Sequence, residues 1–194
     1  MFASPPVILP QSFYLGNFKA ILTGGSSKLP FLLNSLIVSL VTTFVVMIIA
    51  APAAFGFARM HIRGSEHVEF WVLSTRMMPP IAVLIPIMII IRNMGLFDSL
   101  GGIILPYIAF NLPYAVWMLI IFFRQLPLEI EEAAVLDGCG WGRVFFRIAA
   151  PLIMPSLMTV AMLVFIFSWN ELLFALVLSG RAAKTLPVAV SEFA

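Results

Sequence analysis

Long apolar runs alternate along the chain with short polar interruptions. Phe31 to Ala58 runs 28 residues without a charged side chain, and Gly101 to Phe123 and Ile148 to Asn170 each run 23. A fourth run, Phe70 to Ile91, is 22 residues long and holds one charge, Arg76. A helix crosses about 30 Å of hydrocarbon in about 20 residues at about 1.5 Å each, so all four runs are long enough to span. They are expected to be helices, because lipid offers no partner to unpaired backbone groups and an open strand would leave its edge unsatisfied. The pattern predicts an all-α fold, a polytopic transmembrane helical bundle occupying residues 31–180, with spans near 31–58, 70–91, 101–123 and 148–170.

Prolines recur inside the runs at Pro52, Pro79, Pro80, Pro86, Pro106, Pro113 and Pro155. Each removes a backbone donor and kinks its helix, which suits a bundle around a pathway. Membrane helices also carry more proline than soluble ones in general, and the pattern alone does not choose between these readings.

The interruption from residue 124 to 151 breaks the apolar pattern most sharply. Glu129, Glu131, Glu132 and Asp137 are four of the nine carboxylates of the chain, within nine consecutive positions. "LPLEIEEAAVLDG" reads as a short solvent-facing helix. Pro127 suits its first turn, the glutamates sit near the positive end of its dipole, and Gly138 can take the left-handed conformation that ends it. At 100° per residue Ile130, Ala133, Ala134 and Asp137 share one stripe, where two alanines let another surface approach the backbone. Beyond the glycine corner Trp141, Phe145 and Ile148 share an apolar side, and Arg143 and Arg147 pair at i, i+4 on another, a pattern that suits the membrane interface. The residues allow two readings, a rigid protruding elbow or an ordinary amphipathic loop.

Composition narrows the class. The chain is 62% hydrophobic and 10% charged, against roughly 25% charged in an average soluble domain. A soluble core of this size would need a polar coat that so few charges cannot make. The net charge of +2 is spread over eleven basic residues without a block of them, so nothing argues for nucleic acid. The lone Cys139 excludes an internal disulfide and a zinc site and reads as a small filler. Residues 1–30 read as an extracytoplasmic segment with a short helix from Ser12 to Leu22. Pro5, Pro6 and Pro10, with no basic stretch before an apolar one, argue against a signal peptide. Residues 181–194 read as an extracytoplasmic tail. Placing the links 59–69 and 124–147 on the cytoplasmic side gives equal counts of basic residues on both sides, five and five. The shorter inside links are denser in positive charge, which weakly favours that orientation.

The interruption resembles the EAA loop of ABC-importer permeases, whose pattern is E-A-A, three residues, G, nine residues, I, one residue, L-P. Glu132, Ala133, Ala134, Gly138, Ile148 and Pro151 fall in register, and Ala150 stands where the family usually has Leu. "NSLIVS" (Asn34 to Ser39), "AAFGFARMHIRG" (Ala53 to Gly64), "IPIMIIIRNMGLFDS" (Ile85 to Ser99) and "WNELLFALVLS" (Trp169 to Ser179) are similar to successive landmarks of the carbohydrate-uptake, MalG-like branch. The resemblance implies six spans, so the first and the final span are expected to be missing, as in a chain truncated at both ends.

The resemblance further implies that Glu132, Ala133, Ala134, Asp137 and Gly138 form a cytoplasmic coupling helix, with Glu131 and Arg143 as polar neighbours. Its partners would be an ATP-binding cassette ATPase dimer carrying ATP and Mg, a second homologous permease and an extracytoplasmic solute-binding protein. The setting would be the bacterial inner membrane and the cargo a sugar, with glycerol-phosphate, a polyol or another small solute as the alternative. The chain itself holds no G-x-x-x-x-G-K-[ST], no Ser/His/Asp set and no metal-ligand set within a span, so it is expected to bind no cofactor or metal and not to be an enzyme. His61 and His67 read as solvated loop residues. Asn170 and Glu171 have two readings, lining of a pathway or an interfacial helix end beside Trp169. Arg76, six residues into its run, is expected to snorkel to the interface. A secondary transporter or channel would be expected to hold more intramembrane carboxylates, and a membrane scaffold would leave the spaced elbow unexplained.

Overall fold

The structure, a computed structural model, describes residues 28–60 and 64–192, with the side chain of Glu66 excepted. The helix expected from Ser12 to Leu22, His61 and nearly all of segment 1–30 lie outside the described residues. Two charge-free runs fold as continuous helices. Helix α1 spans Leu29–Arg59 and α4 spans Leu100–Arg124, each ending on the basic residue that closes its run.

The other two runs are broken. The run expected as one span at 70–91 forms α2 (Ser65–Arg76) and α3 (Pro80–Asn93), bent by 87° between them. Pro79 and Pro80 offer no N–H, and Pro79 is extended at ψ 122°, as a residue before proline is forced to be. The fourth run divides in the same way. A short α5 (Leu128–Leu136) leads to α6 (Trp141–Val144), which continues through a π-helical turn at Phe145–Ala149 into α7 (Ala150–Leu152). An 80° bend at Ile153 then opens α8 (Met154–Asn170). Ile148 to Leu152, expected within the span, therefore belong to the elbow. Two described helices are long and apolar enough to cross a membrane alone, or four spans result if each bent pair counts as one.

Helix α1 is the organising element and packs chiefly on α4 and α8. Its buried stripe is Ser35, Ser39, Thr42, Val46, Ala50 and Ala54, small residues at helical spacing that let neighbouring backbones come close. Two apolar clusters sit along it. One gathers Phe55, Leu119, Phe123, Val144 and Phe145 beside the elbow. The other gathers Val38, Ile91, Ile103, Tyr107 and Phe174 towards the far end. Phe44, Ile81, Ile85 and Met162 lie exposed on the outer face, an arrangement stable against lipid rather than water.

The segment expected as a tail folds back in part. Helix α9 (Leu173–Leu178) leads to a loop and α10 (Leu186–Ser191), and both loop and helix dock on the start of α1. Asn34 Nδ2 donates to the carbonyls of Ala182 and Lys184, both at 2.9 Å, and Ser35 Oγ accepts from the Leu186 N–H at 2.8 Å.

Candidate functional site

The elbow is anchored by one guanidinium. Arg59, the last residue of α1, donates through Nε to Glu131 Oε2 at 2.7 Å and through Nη2 to Glu131 Oε1 at 2.9 Å. The same Nη2 reaches the carbonyls of Phe123 at 2.7 Å and Leu126 at 3.0 Å, at the end of α4, where a helix has acceptors without intrahelical donors. Both side chains are buried, Arg59 at 4% exposure and Glu131 at 1%. A bidentate charge-assisted pair of this kind is strong and directional. It joins α1, α4 and α5 at one point. Arg124 and Glu69 form a second, more exposed pair at the same end, 2.6 Å apart, so the start of α2 lies beside the end of α4.

Glu131 thus turns inward, and its neighbours turn outward. Glu129, Ile130, Glu132, Ala133, Leu136, Asp137 and Gly138 are exposed, and Ala134 is half-buried against the elbow-side core. Gly138 has φ +84°, the left-handed conformation expected at this corner. The Cys139 N–H bonds to the Ala134 carbonyl at 2.9 Å and the Gly138 N–H to that of Val135 at 3.0 Å, which closes the helix end. After the corner Arg143 and Arg147 are exposed, Ile148 is half-buried and Pro151 is exposed. Phe145 packs on Phe55 at 5.3 Å between ring centroids and Trp141 lies 6.2 Å from the same ring, so the elbow's second limb is held by α1.

A cavity of about 500 Å³ opens between α2, α3, α4, α8 and α9, lined by Arg76, Tyr107, Asn111, Asn170 and Glu171 with Phe110, Phe167 and Phe174. Arg76 departs from the expected snorkelling. The break after α2 turns it inward, where Nη1 donates to the Phe110 carbonyl at 2.5 Å and the guanidinium carbon lies 5.4 Å from the rings of both Tyr114 and Phe167. Carbonyl and ring faces supply what the interface would otherwise have to provide. Asn170 and Glu171 are both on this cavity. The Glu171 carboxylate accepts from the Leu173 N–H at 2.9 Å and the Phe174 N–H at 3.1 Å, opening α9, and its carbonyl accepts from the Tyr107 hydroxyl at 3.0 Å.

The far end has its own fastening. Asp98, at φ +54°, accepts from the N–H groups of Gly180, Arg181, Ala182 and Ala183 at distances from 2.7 to 3.2 Å. The N–H of Ala183 foremost, with those of Arg181, Ala182 and Gly180, holds its carboxyl well below the usual carboxylate range.

Arg59, Asn111 and Asp98 were not prominent in the sequence. Arg59 closes a charge-free run and Asn111 is an amide in the middle of another, so each carries a signal, but their partners lie far along the chain. Among the described residues no cluster of His, Cys, Asp or Glu could hold a metal ion.

Residues 48–191 match the family described as binding-protein-dependent transport system inner membrane component. The trehalose transport system permease protein SugB of Mycobacterium tuberculosis is 40% identical over 189 residues, which cover 96% of this chain and 68% of that protein. The trehalose/maltose transport system permease protein MalG of Thermococcus litoralis is 32% identical over 181 residues, covering 92% of this chain and 65% of that one. A bacterial ABC transporter involved in the import of the acidic polysaccharide alginate has a similar structure, with TM-score 0.78 and 25% identity over 94% of this chain and 63% of the solved one. The chain spans about two thirds of the length of these relatives.

Proposed function

The chain belongs to the family of binding-protein-dependent transport system inner membrane components, and from that premise we propose that it carries a small saccharide through its helices, driven through the elbow by a separate ATPase. As a permease of this family it is a non-catalytic component of an ABC transporter with several membrane helices.

The observation that carries the coupling reading is the contrast between neighbours in α5. Glu131 is locked to Arg59, which also binds the end of α4, whereas Glu132 next to it and Ala133, Asp137 and Gly138 beyond stand exposed. A surface that docks on the exposed face therefore pushes on a body fixed rigidly to two membrane helices. Ala133 keeps the backbone accessible while Ala134 seats the helix on the core, Glu132 and Asp137 offer charge to a basic partner, and Arg143 offers the opposite charge beyond the corner. Ile148 and Pro151 carry the displacement into the bend before α8. Asn170 and Glu171, at the other end of α8, belong to the pathway in this reading.

The partners are an ATP-binding cassette ATPase dimer that binds ATP and Mg, a second homologous permease and an extracytoplasmic solute-binding protein. ATPase closure would select between inward and outward arrangements of the helices. The saccharide assignment is supported by what the similar permeases carry. Glu132→Lys and Gly138→Trp are expected to abolish co-purification of the ATPase and solute uptake together. Unchanged association and uptake in both variants would sink the coupling reading.

A further inference from the structure

We infer that a groove between α1, α8 and the second limb of the elbow holds one acyl chain of an anionic phospholipid, with the lipid phosphate on Arg147. The groove is separate from the cavity at Arg76 and Glu171 and from the exposed face of α5.

Its volume is about 610 Å³. Leu40, Phe44 and Ile48 line it from α1, Met154 and Met158 from α8, and Phe146 from the π-helical turn. Thr43 is the one polar side chain among the described residues that line it, and its hydroxyl donates to the Ser39 carbonyl of its own helix at 2.7 Å. The walls therefore offer nothing to a polar solute.

Dimensions decide between an acyl chain and a helix as the occupant. The wall on α1 runs from Leu40 to Pro52, about 18 Å at about 1.5 Å per residue, close to the depth of one leaflet, about 15 Å. Spread over that length, the volume gives a mean cross-section of about 34 Å². A helix about 10 Å across needs about 80 Å² and runs through about 30 Å of hydrocarbon. An extended acyl chain is thinner and stays within one leaflet, and the flexible side chains of Met154 and Met158 adapt to it.

Charge identifies the headgroup. The limb Trp141–Leu152 is bent by 80° from α8, so it lies along the membrane plane when α8 crosses it. Arg147 follows Phe146 in the chain, Arg143 lies one turn before it, and both are exposed. Among the described residues neither takes part in an ion pair. No carboxylate occurs between Gly138 and Asn170 or between Leu29 and Ala58, so the walls bring no like charge to a phosphate. The exposed acids of the elbow, Glu129, Glu132 and Asp137, all precede the glycine corner. A guanidinium presents paired N–H donors to a phosphate, and basic residues at the surface favour anionic lipid.

Photocrosslinking of the complete transporter, in vesicles of about three parts phosphatidylcholine to one part phosphatidylglycerol, tests the site. p-Benzoylphenylalanine in place of Phe44 is irradiated and its adducts are identified by mass spectrometry. The expected product is a phospholipid adduct whose ratio of phosphatidylglycerol to phosphatidylcholine exceeds that of the vesicle at least about fivefold, the value of one basic residue at an anionic surface. Arg147→Gln should lower that ratio about fivefold, and Met158→Trp, which fills the groove from an exposed position, should lower it as well. Arg92→Gln, exposed at the far end, should leave it unchanged. An adduct with the second permease or with residues 1–27 of this chain, a lipid ratio equal to that of the vesicle, a ratio unmoved by Arg147→Gln or Met158→Trp, or an equal loss in Arg92→Gln would overturn the site.

Discussion

At the scale of single residues, Arg59 ties α1, α4 and α5 together. Its guanidinium neutralises Glu131 and satisfies two carbonyls at the end of α4. Arg59→Leu strands a carboxylate at 1% exposure, and such a loss costs about 3–5 kcal/mol. The expected result is a clear fall in the denaturation midpoint of the protein in detergent micelles. Arg59→Met combined with Glu131→Leu should recover much of it, but not all, since the Phe123 and Leu126 carbonyls lose the guanidinium donor. Asp98 makes a second prediction, in pH. Its carboxyl is held below the usual range near 3.9 by backbone N–H groups, so the fastening it makes is fully present above that value. As pH falls through about 4 towards the lowered folded value, the stabilisation is lost progressively. Amide exchange at Gly180 to Ala183 should accelerate across that window in the parent protein, and Asp98→Asn should flatten the dependence.

At the scale of elements, apolar run length located α1 and α4 within two residues at each end, because a charge-free stretch ends where lipid ends. Run length did not register the breaks at Pro79–Pro80 and Ile153. Hydropathy measures side chains, and these breaks arise from missing backbone donors. The prolines were visible as kinks; that they would turn the chain by 87° depended on what α2 and α3 pack against. Replacing Pro79 and Pro80 together by Ala should straighten the pair. Spin labels at Trp71 and Ile89 would then separate towards about 27 Å, the length of a continuous helix between them. The elbow was legible as a helix, a glycine corner and a second helix, since each part has a local signature. Which of its acids turns inward was not legible, because the partner of Glu131 lies 72 residues away. Gly138→Ala, at φ +84°, is expected to destabilise the corner by about 1 kcal/mol, read from protease sensitivity of the elbow.

At the scale of the whole molecule, fastenings at the two ends enclose a middle that is less completely filled. The elbow end is held by Arg59, the far end by Asp98 and Asn34, and between them lies the cavity, with the buried Asn111 Oδ1 unpaired beside it. Asn34→Ala removes two hydrogen bonds from the loop before α10 and should open it to proteolysis without loosening the elbow. The bend at Ile153 has a consequence in plain mechanics. Helix α8 has 17 residues, so it is a rod about 25 Å long with its base at the elbow and its tip, Asn170, on the cavity wall. A tilt of about 10° at the base sweeps the tip through about 4 Å, more than the length of a hydrogen bond. A small rotation of an anchored base is thus enough to make or break every polar contact at the tip.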